Sequence, residues 1–201
     1  MSPQWSRIAQ LAFGFTFACM WSAQASAYDF HNCSDDEIDK IAGAAAVAET
    51  VMRIAEADLN SIEDGGDATR FETYLGSPAT SERTEHVRQM LYAIWQGSMA
   101  NAAYYCNRAC PGGANAFSEQ GSALGNQKTY PVYLCERFMD DDELNTYDRA
   151  ATLIHEYLHH YGAWDPDFIP EDWDEWARDL AETSPNTAIS SAWNLQFYID
   201  Q

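Results

Sequence analysis

The chain has 201 residues, of which 46% are hydrophobic, and it carries a formal net charge of −20. This length and composition are sufficient for one domain with its own hydrophobic core. Such an acidic surface repels nucleic acid and anionic membranes, so neither is predicted as a partner, but it can attract basic protein substrates.

The first 27 residues are predicted to be a secretory signal peptide that is removed before Tyr28. Arg7 gives a positively charged start, the mostly apolar residues 8–21 are too short to span a membrane, and Ala25-Ser26-Ala27 fits a cleavage site. A retained membrane anchor is the alternative, and no later segment is long and apolar enough to span a bilayer. Removing 27 of the 201 residues leaves 174 (28–201) with a charge of −21, because Arg7 is lost. The mature domain is therefore predicted to be secreted or periplasmic.

Cysteine usage agrees with export. Cleavage would remove Cys19 and leave an even number of cysteines, namely Cys33, Cys106, Cys110 and Cys135. An even count in an exported protein predicts two disulfides, although the residues alone leave three connectivities open. Cys106 and Cys110 would also suit half of a structural zinc site, but the sequence has no second pair of similar spacing, which favours disulfides.

The mature chain begins with a predicted long helix. Residues 34–37 have the pattern of a capping box, and apolar residues recur behind them at spacings of three and four as far as Leu59. The regular spacing would also suit a coiled coil, but packing within the domain explains one helix of this length better. A second helix is predicted from about Ser81, with an inward face formed by Val87, Leu91 and Ile94.

The second half of the chain predicts loops, a strand and two further helices. Residues 107–127 are rich in Gly, Ala, Asn and Ser, which is typical of loops. Residues 129–138 alternate in polarity like a strand, and Pro131 indicates a sheet edge or the start of a strand. The next element is a predicted helix that carries the motif described below and stops at Gly162. After a turn at residues 163–170, a last helix is predicted to begin near Pro170.

The strongest functional signal is His-Glu-Tyr-Leu-His-His at residues 155–160. On a helix, His155 and His159 share one face and can bind one metal ion, while Glu156 can reach a metal-bound water as general base. Three of the five histidines of the chain fall in this stretch, which favours a zinc site over a surface helix with histidines by chance. His160 points about 100° away from His159 and is predicted to be a neighbour, not a ligand.

The order and spacing of several segments give the chain a family resemblance. It resembles the deuterolysin-like aspzincins, in particular their lysine-specific metalloendopeptidase branch. The matching segments are Asn32-Cys33-Ser34, RFETYLG (70–76), Tyr105-Cys106 with Cys110, VYLCERF (132–138), ATLIHE (151–156), SPNTAI (184–189) and NLQFY (194–198). The resemblance implies an α+β fold, a mostly helical zincin-like domain over 28–201 with a small antiparallel sheet whose edge strand aligns a peptide beside the metal. It also implies disulfides Cys33–Cys106 and Cys110–Cys135.

The resemblance further implies Zn²⁺ held by His155, His159 and an aspartate. The family has Asp-x-x-Tyr after the second histidine, and Asp165 with Phe168 is the best match, so Asp165 is the predicted third ligand. The tyrosine hydroxyl that assists the oxyanion in the family is absent. Alternative ligands are Asp167, Asp172 and Asp174, with Glu175 of the last helix ranked lowest.

A second departure from the family concerns specificity. The family has Asn-Ala-Asp near its C-terminus, where this chain has Ser191-Ala192-Trp193. The acidic side chain linked to lysine recognition is therefore absent, and lysine specificity is not predicted.

Together these features predict a secreted, monomeric zinc metalloendopeptidase. It would hydrolyse peptide bonds of a protein or peptide substrate with a metal-activated water and Glu156 as general base. The alternative is a catalytically weak or inactive relative that binds a protein or a cell-wall component. Phe168 in place of tyrosine supports this alternative, whereas the intact Glu156 opposes it because a binding module needs no general base.

Overall fold

The computed structural model describes residues 28–108, 110, 114–119 and 129–200 of the chain. The predicted signal peptide and part of the predicted 107–127 loop region lie outside these residues, so cleavage before Tyr28 stays a prediction. Among the described residues, no helix has both the length and the apolar character that a membrane crossing requires.

Helices make up most of the described chain, and a small sheet accompanies them. The helices are α1 (Asp35–Glu63), α2 (Thr69–Leu75), α3 (Ser81–Ile94), α4 (Glu136–Asp140), α5 (Thr146–His160), α6 (Trp173–Thr183), α7 (Pro185–Ala188) and α8 (Ala192–Asp200), and a π-helical turn, Trp95–Met99, directly follows α3. The strands are β1 (Asp29–His31), β2 (Ala102–Arg108), β3 (Ala116–Ser118) and β4 (Tyr130–Cys135). The predicted fold class, α+β and mostly helical, is confirmed.

Helix α1 is the long amphipathic helix that the sequence predicts. In its capping box, Ser34 Oγ accepts a hydrogen bond from the N–H of Glu37, and the Glu37 carboxylate accepts one from the N–H of Ser34. The helix packs along α5 and α8 within the domain and not in a coiled coil. Small residues let these helices approach closely; the buried residues of α1 are Ile41, Ala44, Ala45, Ala48, Met52, Ala55 and Leu59.

The sheet has the strand order β1-β2-β4-β3. Strands β1, β2 and β4 are parallel and β3 is antiparallel to β4, so the sheet is mixed and not purely antiparallel as predicted. The parallel direction has a physical cause. Helices α1, α2 and α3 lie between β1 and β2 in the chain, and such a long crossover can return the chain in the same direction.

The predicted strand at residues 129–138 is β4 over Tyr130–Cys135, whereas its last three predicted residues belong to α4, and β4 lies inside the sheet and not at its edge. Strand β3 pairs only with Val132–Leu134, so the missing N–H of Pro131 lies beyond that pairing, near the start of the strand. The edge next to α5 is β3, whose Ser118 Oγ donates a hydrogen bond to the carbonyl of Glu156 at 3.0 Å. Strand β3 therefore takes the edge position, and Pro131 fits the other predicted alternative, a place near the start of a strand.

The helix boundaries around residues 160–173 shape the site. Gly162 follows the C-cap of α5 with φ 86°, the left-handed conformation that favours glycine, so the predicted stop is confirmed. The next helix, α6, begins at Trp173 and not near Pro170 as predicted. The reason is Asp172, whose side chain accepts hydrogen bonds from two N–H groups of the first turn and so fixes the start of the helix.

The four cysteines of the predicted mature chain form two disulfides, Cys33–Cys106 and Cys110–Cys135. This is the connectivity that the resemblance implies. It rules out Cys106 and Cys110 as half of a structural zinc site. The first disulfide joins the segment before α1 to β2, and the second joins the chain after β2 to the end of β4.

Candidate metal centre

The core fixes the helix that carries the motif. Asn145 caps the N-terminus of α5 by accepting hydrogen bonds from two N–H groups of the first turn. The apolar residues Leu153, Ile154, Tyr157 and Leu158 are completely buried. With the helix held in this way, the i,i+4 spacing turns His155 and His159 to the same side of it.

Three ligand atoms from two segments meet beside this helix. The Nε2 atoms of His155 and His159 and the Oδ2 atom of Asp165 are each 3.1 Å from the other two. Two ligands of a tetrahedral zinc ion, each about 2.05 Å from the metal, are about 3.3 Å apart. The spacing of the three atoms therefore matches three corners of one tetrahedral coordination sphere.

The outer nitrogens of the two rings settle which nitrogens are free for a metal. His155 Nδ1–H donates to Gln196 Oε1 at 3.1 Å, and His159 Nδ1–H donates to the carbonyl of Ala163 at 2.9 Å. The Gln196 amide is oriented for this role because its Nε2 donates to Asp200 at 3.3 Å. Both Nε2 atoms then direct lone pairs at the same point, where a cation would relieve their repulsion.

The third side chain adds negative charge to this point. Burial raises the pKa of the Asp165 carboxyl, but its contacts with the His155 and His159 rings outweigh that effect and hold the pKa well below its ordinary value. The carboxylate is therefore ionised at neutral pH. Two neutral imidazoles and one carboxylate are a common ligand set for a divalent cation, so these residues fit a metal ion.

The loop that carries Asp165 is tied to the C-terminal part of the chain. The N–H of Trp164 donates to the carbonyl of Ser190 at 3.1 Å, and the N–H of Ala192 donates to the carbonyl of Trp164 at 2.9 Å. Gly162 makes the turn that precedes this pairing. The loop is thus held so that Asp165 folds back over the two histidines.

The alternative ligands lie elsewhere. Asp172 caps α6, and Asp174 bonds to side chains of α2 and α6. Asp167 and Glu175 are exposed. In the part of the chain that the structure describes, Asp165 is the one carboxylate that joins the two histidines in a group able to hold a metal.

Glu156 lies beside the three ligand atoms but is not one of them. Its side chain is buried, and its Oε2 atom has no hydrogen-bond partner among the described residues. A buried carboxylate oxygen without a partner is costly, and such groups often have a chemical role. The residue also lines the cleft described below, so its carboxylate lies at a wall that a water or a substrate would contact.

His160 is a neighbour, as predicted, and both of its ring nitrogens are engaged. It is completely buried between Ser98 Oγ, 2.9 Å from Nδ1, and the carbonyl of Pro131, 3.0 Å from Nε2. Burial lowers the pKa of its imidazole to about 4, so the ring is neutral. It ties α5 to the π-helical turn and to β4.

The candidate metal centre opens into a cleft of about 820 Å³, within the range of ligand-binding clefts of roughly 300–1,000 Å³. Its walls include Ile169, Trp173 and Trp193 at the end that holds the metal-binding group. Phe168, at the position of the family's tyrosine, is not among the lining residues. Its ring is 58% exposed and packs edge-on against Trp176.

Comparison with known proteins agrees with this geometry. Residues 60–200 match the model of the aspzincin family, which is described as lysine-specific metallo-endopeptidase. The chain belongs to this family. Membership confirms the predicted enzyme class, a zinc metalloendopeptidase, and with it the need for a bound metal ion.

A solved structure has the same fold. The zinc peptidase from Grifola frondosa superposes with a TM-score of 0.65 at 23% identity, over 84% of this chain and 96% of that chain. No curated protein matches the chain.

Proposed function

We propose that this aspzincin is a secreted endopeptidase that holds Zn²⁺ with His155, His159 and Asp165 and uses Glu156 as general base. The observation that best supports this proposal is the grouping of four side chains at one end of the cleft. Three ligand atoms lie 3.1 Å apart, and the partnerless Oε2 of Glu156 is buried beside them at the wall of a cleft.

The roles follow from the positions. Zinc held by the three side chains would supply an activated water molecule and would polarise the substrate carbonyl. The Glu156 carboxylate would accept a proton from the water that attacks the carbonyl carbon, and would pass it to the amine nitrogen that is released when the peptide C–N bond breaks. Gln196 and the carbonyl of Ala163 hold the two imidazoles in the tautomer that leaves Nε2 free.

Strand β3 is the strand with which the substrate backbone would pair. It pairs with β4 on one side, and its other side has no partner among the described strands. Asn115 and Ala116 at its start line the cleft that holds Glu156. An extended peptide that adds to this edge would lie with its backbone along the cleft, next to the metal-binding group.

One observation favours the alternative, a weak or inactive relative that binds a protein or a cell-wall component. Phe168 brings no hydroxyl to the cleft, so the developing oxyanion lacks the donor that the family's tyrosine supplies. The buried, partnerless Glu156 carboxylate favours catalysis, because a binding surface gains nothing from this costly group.

Glu156→Gln tests the proposal. The variant should lose casein hydrolysis while it keeps one equivalent of zinc, because the carboxylate acts as a base and not as a ligand. Glu175→Gln, an exposed change on α6, is the matched control and should keep both casein hydrolysis and zinc binding.

Two outcomes would contradict the proposal. Casein cut at the wild-type rate by Glu156→Gln would remove Glu156 from the mechanism. If the wild-type protein loaded with zinc cuts neither casein nor a mixed peptide library, the binding function replaces catalysis.

Secretion rests on the A-x-A site at residues 25–27 and on the two disulfides. Expression of the full chain in a secreting host, followed by N-terminal sequencing of the exported protein, should find Tyr28 first. The acidic surface supports a soluble monomer that binds neither nucleic acid nor, after cleavage, a membrane.

A further inference from the structure

An apolar wall stands directly beside the candidate metal centre. The ring centroids of Trp193 and the ligand His155 are 4.6 Å apart, and Trp173 stacks on Trp193 at 4.1 Å. Ile169 lines the same cleft and is 83% exposed. The name apolar wall is used below for Ile169, Trp173 and Trp193.

The two tryptophans of this wall have rigid support. Trp173 packs edge-on against Trp176 at 6.0 Å, and Trp193 packs against Phe197 at 5.9 Å. Both supporting rings pack against the hydrophobic core. Trp173 and Trp193 are themselves only partly buried. When an apolar group of a ligand covers a fixed, solvent-exposed apolar surface, the burial lowers the free energy of the complex.

Asp148, a charged residue of the cleft, lies toward its other end. Helices α5 and α8 run antiparallel along it, since His155 contacts Trp193 and Gln196, whereas the Tyr147 hydroxyl donates to the carbonyl of Asp200. Asp148, which also lines the cleft, precedes His155 by seven residues, about 10 Å along the helix axis. An extended peptide covers that distance in about three residues.

The acidic groups that do lie near the metal end have other roles in the proposed mechanism. Asp165 is a ligand, so its charge is offset by the metal, and Glu156 is the general base. The substrate residue next to the cleaved bond therefore meets the apolar wall, whereas Asp148 faces residues farther away and the Asp200 carboxylate accepts a hydrogen bond from Gln196.

We infer that this peptidase selects substrates with a large apolar side chain, aliphatic or aromatic, directly beside the scissile bond, and that the apolar wall makes the selection. The inference rests on the proposed function and adds the substrate class to it. A lysine at the same position would gain little, because the side chains it would contact there are uncharged.

Cleavage profiling tests the inference. A proteome-derived peptide library is digested with the zinc-loaded protein, and the cleaved bonds are identified by mass spectrometry. One of the two positions flanking the cleaved bond should be enriched in Leu, Ile, Met, Phe and Tyr. Enrichment of Lys or Arg there, or no enrichment, overturns the inference while leaving the proposed function intact. Absence of any cleavage overturns both.

Variants then locate the selection. Truncation of Trp193 would also disturb its contact with His155, so Ile169→Ser, at an exposed position, is the sharper change. With two peptides that differ only by Phe or Ala at the selected position, Ile169→Ser should lower the kcat/KM ratio of Phe to Ala about tenfold. Ile54→Ser on α1, also an exposed isoleucine, is the matched control and should leave the ratio unchanged. An unchanged ratio in Ile169→Ser would remove Ile169 from the wall.

Discussion

The two sides of the candidate metal centre differ in what holds them. On one side, His155 and His159 belong to a helix that the core covers, and their side chains are only 10% and 14% exposed. On the other side, Asp165 lies in the loop between α5 and α6, and its side chain is 38% exposed. Packing of α5 against the core fixes the two histidines. The position of Asp165 depends instead on backbone contacts between its loop and the segment before α8.

This difference has a consequence for how the site can fail. Loss of either histidine would remove one proposed ligand, while α5 should keep its position because the core holds it. Changes on the loop side act through the position of Asp165, which the pairing of Trp164 with Ser190 and Ala192 maintains. Variants of the two sides should therefore separate into large losses of metal affinity and smaller, graded ones.

The largest effect is expected on the helix side. His159→Ala should weaken zinc binding by more than a hundredfold, because changes to residues that merely orient a ligand already cost 10–100-fold. Competition with a chelator of known affinity measures the loss. His86→Ala, at an exposed site on α3, is the control and should bind like the wild type. Equal affinity of the two variants would show that His159 is not a ligand.

A smaller but clear loss is expected on the loop side. Asp165→Asn keeps the shape of the side chain but removes its charge, so zinc affinity should fall about 10- to 100-fold. Asp167→Asn, an exposed change in the same loop, should have little effect. A greater loss at Asp167, Asp172 or Asp174 than at Asp165 would move the third ligand to that residue.

Gln196 connects the two sides and should give an intermediate result. Gln196→Ala removes the acceptor for His155 Nδ1–H and should weaken zinc binding about tenfold. Gln196→Glu restores an acceptor at the same place and should recover most of the affinity. This rescue separates orientation of His155 from a general packing defect; a Gln196→Glu variant as weak as the alanine variant would count against orientation.

The smallest effect concerns the turn into the loop. Gly162→Ala forces a side chain into a left-handed conformation with φ 86° and should lower the free energy of unfolding by about 1 kcal/mol. Gly65→Ala, with φ 85° after α1, should cost a similar amount. Denaturant titration compares their stabilities. Zinc affinity should fall in Gly162→Ala alone, and equal affinities would mean that this turn does not position Asp165.

The helix side of the site was accessible to sequence analysis because its signal is local. The i,i+4 spacing of His155 and His159 and the stop at Gly162 depend on a single helix. Capping boxes are equally local, and the one at Ser34 fixed the start of α1 correctly. Asp165 was reached through the family resemblance, since five acidic residues follow within ten positions and spacing alone does not choose among them.

Features that depend on distant contacts were missed. Gln196 and Trp193 meet His155 because α8 packs against α5, and nothing in residues 193–196 indicates this partner. Pro131 left both an edge strand and the start of a strand open, and only the pairing of β4 with β2 and β3 decides for the start of a strand. The role of Asp172 as a helix cap was also hidden among the neighbouring acidic residues.

X-ray absorption at the zinc edge, on protein loaded with one equivalent of zinc, tests the metal centre most directly. The spectrum should require two imidazole nitrogens at about 2.0–2.1 Å and oxygen ligands at about 2.0–2.2 Å, with no sulfur. His159→Ala should lose one imidazole contribution. A sulfur distance of about 2.3 Å, or a spectrum fitted by fewer than two imidazoles, would contradict a zinc site formed by His155, His159 and Asp165.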